Sequence, residues 1–160
     1  MIFVTVGEQL PFDRLIRTVD EWAAVSKNEV FAQTGRSKWK PSHITYKEFL
    51  APEEFHDNLL KADIVIAHAG MGTIISALER KKPILVMPRQ AILGEVRNDH
   101  QSSTARRFLA LDYVSVAFDE VELRAKLDNL DEIVACERKE GGIGHSQLII
   151  ETIRDFIEAK

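Results

Sequence analysis

One cysteine, Cys136, stands in the whole 160-residue chain, which excludes an intramolecular disulfide framework and any zinc site built on cysteines. A reducing compartment suits such a chain. Long apolar runs are missing too: none approaches the roughly 20 residues that a bilayer-spanning helix needs, so no direct membrane span is expected. Basic excess is also absent. With a formal net charge of −4 and a pI near 5.8, the chain lacks the footprint of a sequence-independent nucleic-acid binder, and no nucleic acid is expected as a partner. The two basic clusters, Arg36-Ser37-Lys38-Trp39-Lys40 and Arg80-Lys81-Lys82, read as solvated turns. Residues 1–6 read directly as a strand, with no basic leader and no signal-type apolar region, which gives the expectation of a cytoplasmic chain.

A hydrophobic content of 45% over this length is enough for one buried core and leaves little room for a second. Strand-like and helix-like patterns alternate: strands over 2–6, 29–33, 44–46, 62–67, 83–87 and 113–116, and helices over 11–25, 52–60, 74–81, 98–110 and 120–130. Such alternation predicts an α/β fold, a Rossmann-like parallel sheet with helices on both faces. In these sheets ligands sit beyond the carboxyl ends of the strands. The residues at those positions are Gly7-Glu8-Gln9, Thr34-Gly35-Arg36, residues 68–73, and Pro88-Arg89-Gln90 with the loop behind them. They are expected to converge on one rim.

The richest of these stretches is His68-Ala69-Gly70-Met71-Gly72-Thr73. It joins an apolar, β-branched strand to a helix, and a helix start gathers free N–H groups and the positive end of the helix dipole. An anionic group such as a diphosphate can be held there without lysine or metal. Gly70 and Gly72 would let the backbone approach it closely, and Thr73 would add a hydroxyl donor. The same pattern also fits an ordinary strand-to-helix turn, because it is neither G-x-G-x-x-G nor the G-x-x-x-x-G-K-[ST] loop. His68 likewise reads either as a ligand contact or as a hydrogen-bonded structural residue.

Residues 1–140 are expected to form the ligand-binding domain. Beyond them Gly141-Gly142-Ile143-Gly144 reads as a hinge. Leu148, Ile149, Ile153, Phe156 and Ile157 then recur at helical spacing, predicting an amphipathic helix over 146–158 that packs either on its own sheet or on a partner chain.

The 68–73 turn, followed by Ala77-Leu78-Glu79, Lys82-Pro83 and Asn98-Asp99-His100-Gln101, resembles the donor-binding half of the GT-B glycosyltransferases, of the family 28 carboxyl-terminal type. So do the opening 2–7 segment with Pro11-Phe12-Asp13 and the Gln33-Thr34-Gly35 turn. The pattern is most similar to small cytosolic subunits of two-component enzymes. One branch makes UDP-GlcNAc-dependent transfers in eukaryotic lipid-linked oligosaccharide synthesis; the other, PssE-like, serves bacterial exopolysaccharide synthesis. The resemblance implies a carboxyl-terminal GT-B half standing alone and a UDP-sugar donor. It implies that Gly70, Met71, Gly72 and Thr73 hold the diphosphate and that Asn98, His100 and Gln101 reach sugar or phosphate. Gly7, Gln9, Thr34 and Gly35 would border the cleft, with His68 donating to phosphate or to a sugar hydroxyl. The acceptor site and general base would belong to a membrane-attached partner, with the helix over 146–158 as the candidate dock, so the chain would sit peripherally at the inner face of a membrane. The expected reaction is one inverting displacement at the anomeric carbon, with charge on the departing diphosphate stabilised by the helix start. No Asp-x-Asp occurs, so neither a metal nor another cofactor is expected.

Two positions depart from the family pattern. Glu8 stands where threonine is usual and places a carboxylate near the diphosphate region. Ser76 stands where a ribose-binding glutamate is often found, and Glu79 lies about one helical turn further on. These departures motivate an alternative, a non-catalytic nucleotide-sugar-binding or activity-enhancing subunit. A nicotinamide or flavin oxidoreductase domain is a further alternative, weakened because Val6-Gly7-Glu8-Gln9-Leu10-Pro11 lacks the dinucleotide fingerprint after the first strand.

Overall fold

The computed structural model describes residues 1–134. The expected hinge at 141–144, the helix over 146–158 and Cys136 lie outside the described residues. Six parallel strands run in the spatial order β3-β2-β1-β4-β5-β6: β1 (Ile2–Thr5), β2 (Val30–Gln33), β3 (Thr45–Lys47), β4 (Ile64–His68), β5 (Ile84–Met87) and β6 (Ser115–Val116). The helices α1 (Asp13–Ala23), α2 (Pro52–Lys61), α3 (Met71–Glu79), α4 (His100–Ala110) and α5 (Glu120–Asp128) connect or flank them, with a 3-10 turn at Ala91–Leu93; residues 130–134 are also helical. The expected α/β architecture is present.

The pleat divides the core into two layers. Ile2, Val4, Ile64, Ile66, Leu85 and Met87 face α1 and α5, whereas Phe3, Val65, Ala67, Ile84 and Val86 face α2, α3 and α4. Successive strand residues point to opposite faces, so the unbroken apolar runs of β4 and β5 mark strands covered on both sides. On α1, Leu15, Ile16, Val19 and Trp22 are buried at helical spacing against the first layer. The start of α5 is fixed by a reciprocal cap: the Asp119 carboxylate accepts from the Glu122 amide at 2.8 Å, and the Glu122 carboxylate accepts from the Phe118 amide at 2.9 Å.

The sheet reverses direction of growth between β1 and β4, which are paired in register from Ile2 with Ile64 to Thr5 with Ala67. At such a switch point the two following connections leave toward opposite faces and open a crevice above the strand ends. Two boundaries differ from the sequence reading in ways that matter there. The third helix begins at Met71 rather than 74, because Ile74 already donates to the Gly70 carbonyl at 3.1 Å. The fourth begins at His100 rather than 98, because Asn98 and Asp99 turn their side chains onto the His100 ring and the Ala91 amide.

Candidate functional site

A cleft of about 360 Å³ opens at the switch point, lined by Val6, Gly7, Glu8, Gln9, Leu10, His68, Arg89, Glu95, Val96 and Gln101. His68 ends β4, and its ring is wedged between two glycine turns. A Cβ on Gly70 would stand 2.2 Å from His68 Nε2, and one on Gly7 would stand 3.0 Å from His68 Cε1. Gly7 also has φ +71, a conformation that side chains resist. Gly70 is therefore glycine for the sake of the histidine, a different reason from close ligand approach.

Gly72 has no such duty. A Cβ there would meet nothing within 4 Å, and Gly72 lies in the first turn of α3, where glycine confers no helical advantage. Around it the amides of Met71, Gly72 and Thr73 precede the first intrahelical bond and lack an acceptor within the helix. No side chain caps this end. Three free donors, a helix dipole and an empty space over a glycine make a place for an anion.

The electrostatics of His68 suit a neutral ring. Burial, and then the positive charge of Arg89, push its pKa down to about 4. The Thr5 backbone acts in the opposite sense, yet it falls short of hydrogen-bond geometry, and the buried Nδ1 has no hydrogen-bond partner among the described residues.

Arg89 was not among the expected binding residues, although it directly follows the end of β5 and the Pro88 that closes it. It is 4% exposed, and its guanidinium donates to the carbonyls of Pro11 (2.6 Å), Glu95 (3.2 Å), Val6 (2.7 Å) and Leu10 (2.7 Å). Its amide donates to Gln101 Oε1 at 3.1 Å. Beside it Glu95 receives Arg14 Nε and Nη2 at 2.9 and 3.0 Å and the Gln90 amide at 2.9 Å. Both guanidiniums lie over the Phe12 ring, at 5.3 Å for Arg14 and 4.8 Å for Arg89. The signal available in sequence was the place of Pro88-Arg89-Gln90 just beyond a strand end, which put Arg89 near the rim but did not say what its side chain would grip.

The structure brings Gly7, Gln9, His68 and Gln101 together in the cleft wall, with Gly70 against the His68 ring and Met71, Gly72 and Thr73 beginning α3 behind it. It does not bring Thr34, Gly35, Gly70, Met71, Gly72, Thr73, Ser76, Asn98 or His100 into that lining. Asn98 Oδ1 and His100 Nδ1 bond each other in the exposed 88–99 loop, and Ser76 sits on α3, where its carbonyl accepts from Arg80. Thr34 and Gly35 stand behind the lining. Their amides continue the β2–β3 ladder to Lys47 and Glu48, and a Cβ on Gly35 would stand 2.4 Å from the Gly7 carbonyl.

Fold and cleft together define a Rossmann-like sheet with a crevice at its switch point and, next to His68, an uncapped helix start. Residues 1–136 match the glycosyltransferase family 28 C-terminal domain, and the chain belongs to that family. Among its relatives, the UDP-N-acetylglucosamine transferase subunit ALG13 of Homo sapiens is 30% identical over 117 residues, which is 66% of this chain and 10% of the relative. The subunit of the same name from Eremothecium gossypii is 35% identical over 79 residues, 49% of this chain and 34% of the relative. The chain thus spans a third or less of the length of these relatives. The solution structure of ALG13 superposes with a TM-score of 0.55 at 21% identity, covering 79% of this chain and 83% of that one. Acinetobacter baumannii MurG superposes with a TM-score of 0.60 at 16% identity, covering 96% of this chain and 49% of that one. The fold is that of the carboxyl-terminal half of a GT-B glycosyltransferase. No helix among the described residues is long and apolar enough to cross a membrane.

Proposed function

We propose that this chain is the donor-binding catalytic subunit of an inverting UDP-sugar glycosyltransferase, completed by a membrane-attached partner that binds the acceptor. The observation that carries the reading is the open space over Gly72 at the uncapped start of α3, beside a histidine held neutral. The diphosphate lies against the amides of Met71, Gly72 and Thr73, where the helix dipole stabilises the charge that grows as the sugar–phosphate bond breaks. His68, uncharged at neutral pH, directs one ring nitrogen to phosphate or to a sugar hydroxyl while Gly7 and Gly70 hold the ring in place. Gln101, fixed by the Arg89 amide through Oε1, keeps its amide nitrogen for the sugar. Asn98 and His100 reach the donor by movement of the exposed 88–99 loop. Ser76, Thr34 and Gly35 support the site from behind its lining.

The partner supplies the acceptor hydroxyl and the general base. Relatives named as transferase subunits support this division, as does the coverage of about half of MurG. The cytoplasmic, membrane-peripheral location and the docking role of the helix over 146–158 belong to the same proposal. Glu8 favours a second reading: its exposed carboxylate lines the cleft and would repel an anionic donor. A subunit that binds donor weakly and enhances its partner would tolerate it. Calorimetric titration with UDP, UDP-GlcNAc, UDP-glucose, UDP-galactose and UDP-glucuronate, with and without Mg²⁺ and with NAD as control, tests the donor site. Binding of a UDP-sugar without Mg²⁺ is the expected result. Silence toward the whole set from both the chain and its reconstituted complex overturns it, and transfer by a complex carrying Gly72→Asp at the wild-type rate defeats the catalytic reading.

A further inference from the structure

The turn over 7–11 forms one wall of the cleft, yet it has little to hold it in shape. Glu8, Gln9 and Leu10 are exposed, and the Gly7 amide reaches only Thr5 Oγ1, at 3.5 Å. What grips this turn is a residue from the far side of the cleft. Arg89 binds the carbonyls of Val6, Leu10 and Pro11 with one guanidinium and lies over Phe12, which follows the turn. The same residue orients Gln101 through its amide and holds the Glu95 carbonyl.

A buried guanidinium is an expensive fastener. No carboxylate forms an ion pair with Arg89 among the described residues, because the Glu95 carboxylate is engaged by Arg14 and the Gln90 amide. Burial correspondingly pulls the Arg89 pKa down, with only the nearby charge of Glu95 opposing it. An apolar side chain of like volume would fill this space at lower desolvation cost. It would not set the position of four carbonyls, which a planar fork of donors can do.

We infer that Arg89 is the positioning residue of the donor cleft: by clasping the carbonyls of Val6, Leu10 and Pro11 it sets the 7–11 wall relative to His68 and Gln101. The inference rests on reading this cleft as the donor site. Arg89 acts on His68 in a second way, through charge. The charged groups that share the cleft with His68 are Arg89, following β5, Glu8 on the turn after β1, and Glu95 on the 88–99 loop. Of these, the Arg89 cation is the one that opposes protonation of the ring.

The two actions separate experimentally. In the full chain, Arg89→Lys keeps a cation but offers a compact ammonium that cannot span the carbonyls, and Arg89→Met removes both charge and clasp. The His68 ring is followed by NMR titration, the backbone order of 7–10 by amide ¹⁵N relaxation, and donor affinity by calorimetry with UDP-GlcNAc. Arg89→Lys is expected to lower the order of 7–10 and weaken UDP-GlcNAc about tenfold, with the His68 midpoint near the wild-type value. Arg89→Met is expected to do the same and also to move the His68 midpoint upward. If Arg89→Met does not fold, Arg89→Lys alone decides. Wild-type order over 7–10 in Arg89→Lys overturns the inference, and so does wild-type affinity alongside lowered order. Lowered order in a protein whose wild type binds no UDP-sugar keeps the clasp and counts instead against the donor reading.

Discussion

Beyond β2 the chain turns its polar groups on itself, whereas beyond β4 it leaves them open. Thr34 and Gly35 look, in sequence, much like the glycine-and-threonine turn at 70–73. In three dimensions their amides are taken by Lys47 and Glu48 of the neighbouring edge strand region at 2.9 and 2.8 Å, and the loop that follows is tied down by two carboxylates of α1. Asp13 accepts from Ser37 Oγ at 2.6 Å and the Lys38 amide at 2.8 Å. Asp20 accepts from Trp39 Nε1 and from the Ser42 and His43 amides. At the central turn, among the described residues, no neighbouring strand or carboxylate closes on Met71, Gly72 or Thr73, and His68 Nδ1 is buried without a hydrogen-bond partner. The contrast teaches that a glycine turn becomes a binding site where the fold leaves its donors unsatisfied, and becomes architecture where it satisfies them.

Breaking the closed half should affect stability more than binding. Asp20 is 1% exposed, and Asp20→Ala removes the one carboxylate that ties Trp39, Ser42 and His43 to α1, at an expected cost of about 2 kcal/mol in a denaturant melt, with donor affinity of the folded protein unchanged. The open half has a pH signature instead. Unfolded, His68 titrates near 6.5, and folded near 4. Between those values the unfolded chain binds more protons, so stability falls as the pH drops from about 6.5 to 4 and is level with respect to this group above that range. The loss is about 3 kcal/mol. Between the two ends of the window, wild type should lose about 3 kcal/mol more stability than His68→Gln, read from melts at each pH.

The 88–99 loop joins the two behaviours, pinned at its base and free at its tip. Arg14 and Glu95 have side chains 9% and 11% exposed, and Glu95→Gln leaves Arg14 only the half-exposed Glu120 at 3.4 Å as a charged partner, at a cost of about 2 kcal/mol, read by thermal unfolding. At the tip Ile92 is 89% exposed, so Ile92→Ser should change stability by less than about 0.5 kcal/mol in the same experiment.

The alternation of strands and helices, the parallel sheet and the two-sided burial of β4 and β5 were legible because hydrophobic periodicity is local. Helix starts were less so. The shift of α3 from 74 to 71 follows from where the first amide finds a carbonyl, and Met71-Gly72-Thr73 contains no side-chain cap to announce it. In the candidate site, the places of Gly7, Gln9 and His68 in the cleft wall were visible from the rule that ligands gather at strand ends, whereas the 70–73 turn lies outside that lining. Two things were not. The pairing of Gly70 with the His68 ring is a tertiary contact that a glycine's sequence position cannot reveal. Arg89 clasps carbonyls more than seventy residues earlier in the chain, a distance over which no spacing rule operates.

The central claim is that the space over Gly72 belongs to an anionic ligand, and the most direct test titrates UDP-GlcNAc into wild type and Gly72→Asp, with a melt of each. Because a Cβ at Gly72 would meet nothing within 4 Å beyond its own helix turn, the account predicts that Gly72→Asp melts within about 1 kcal/mol of wild type while its donor affinity falls by about 100-fold or more, the effect of a carboxylate set against a diphosphate. Equal affinity for the donor in the two proteins would contradict it.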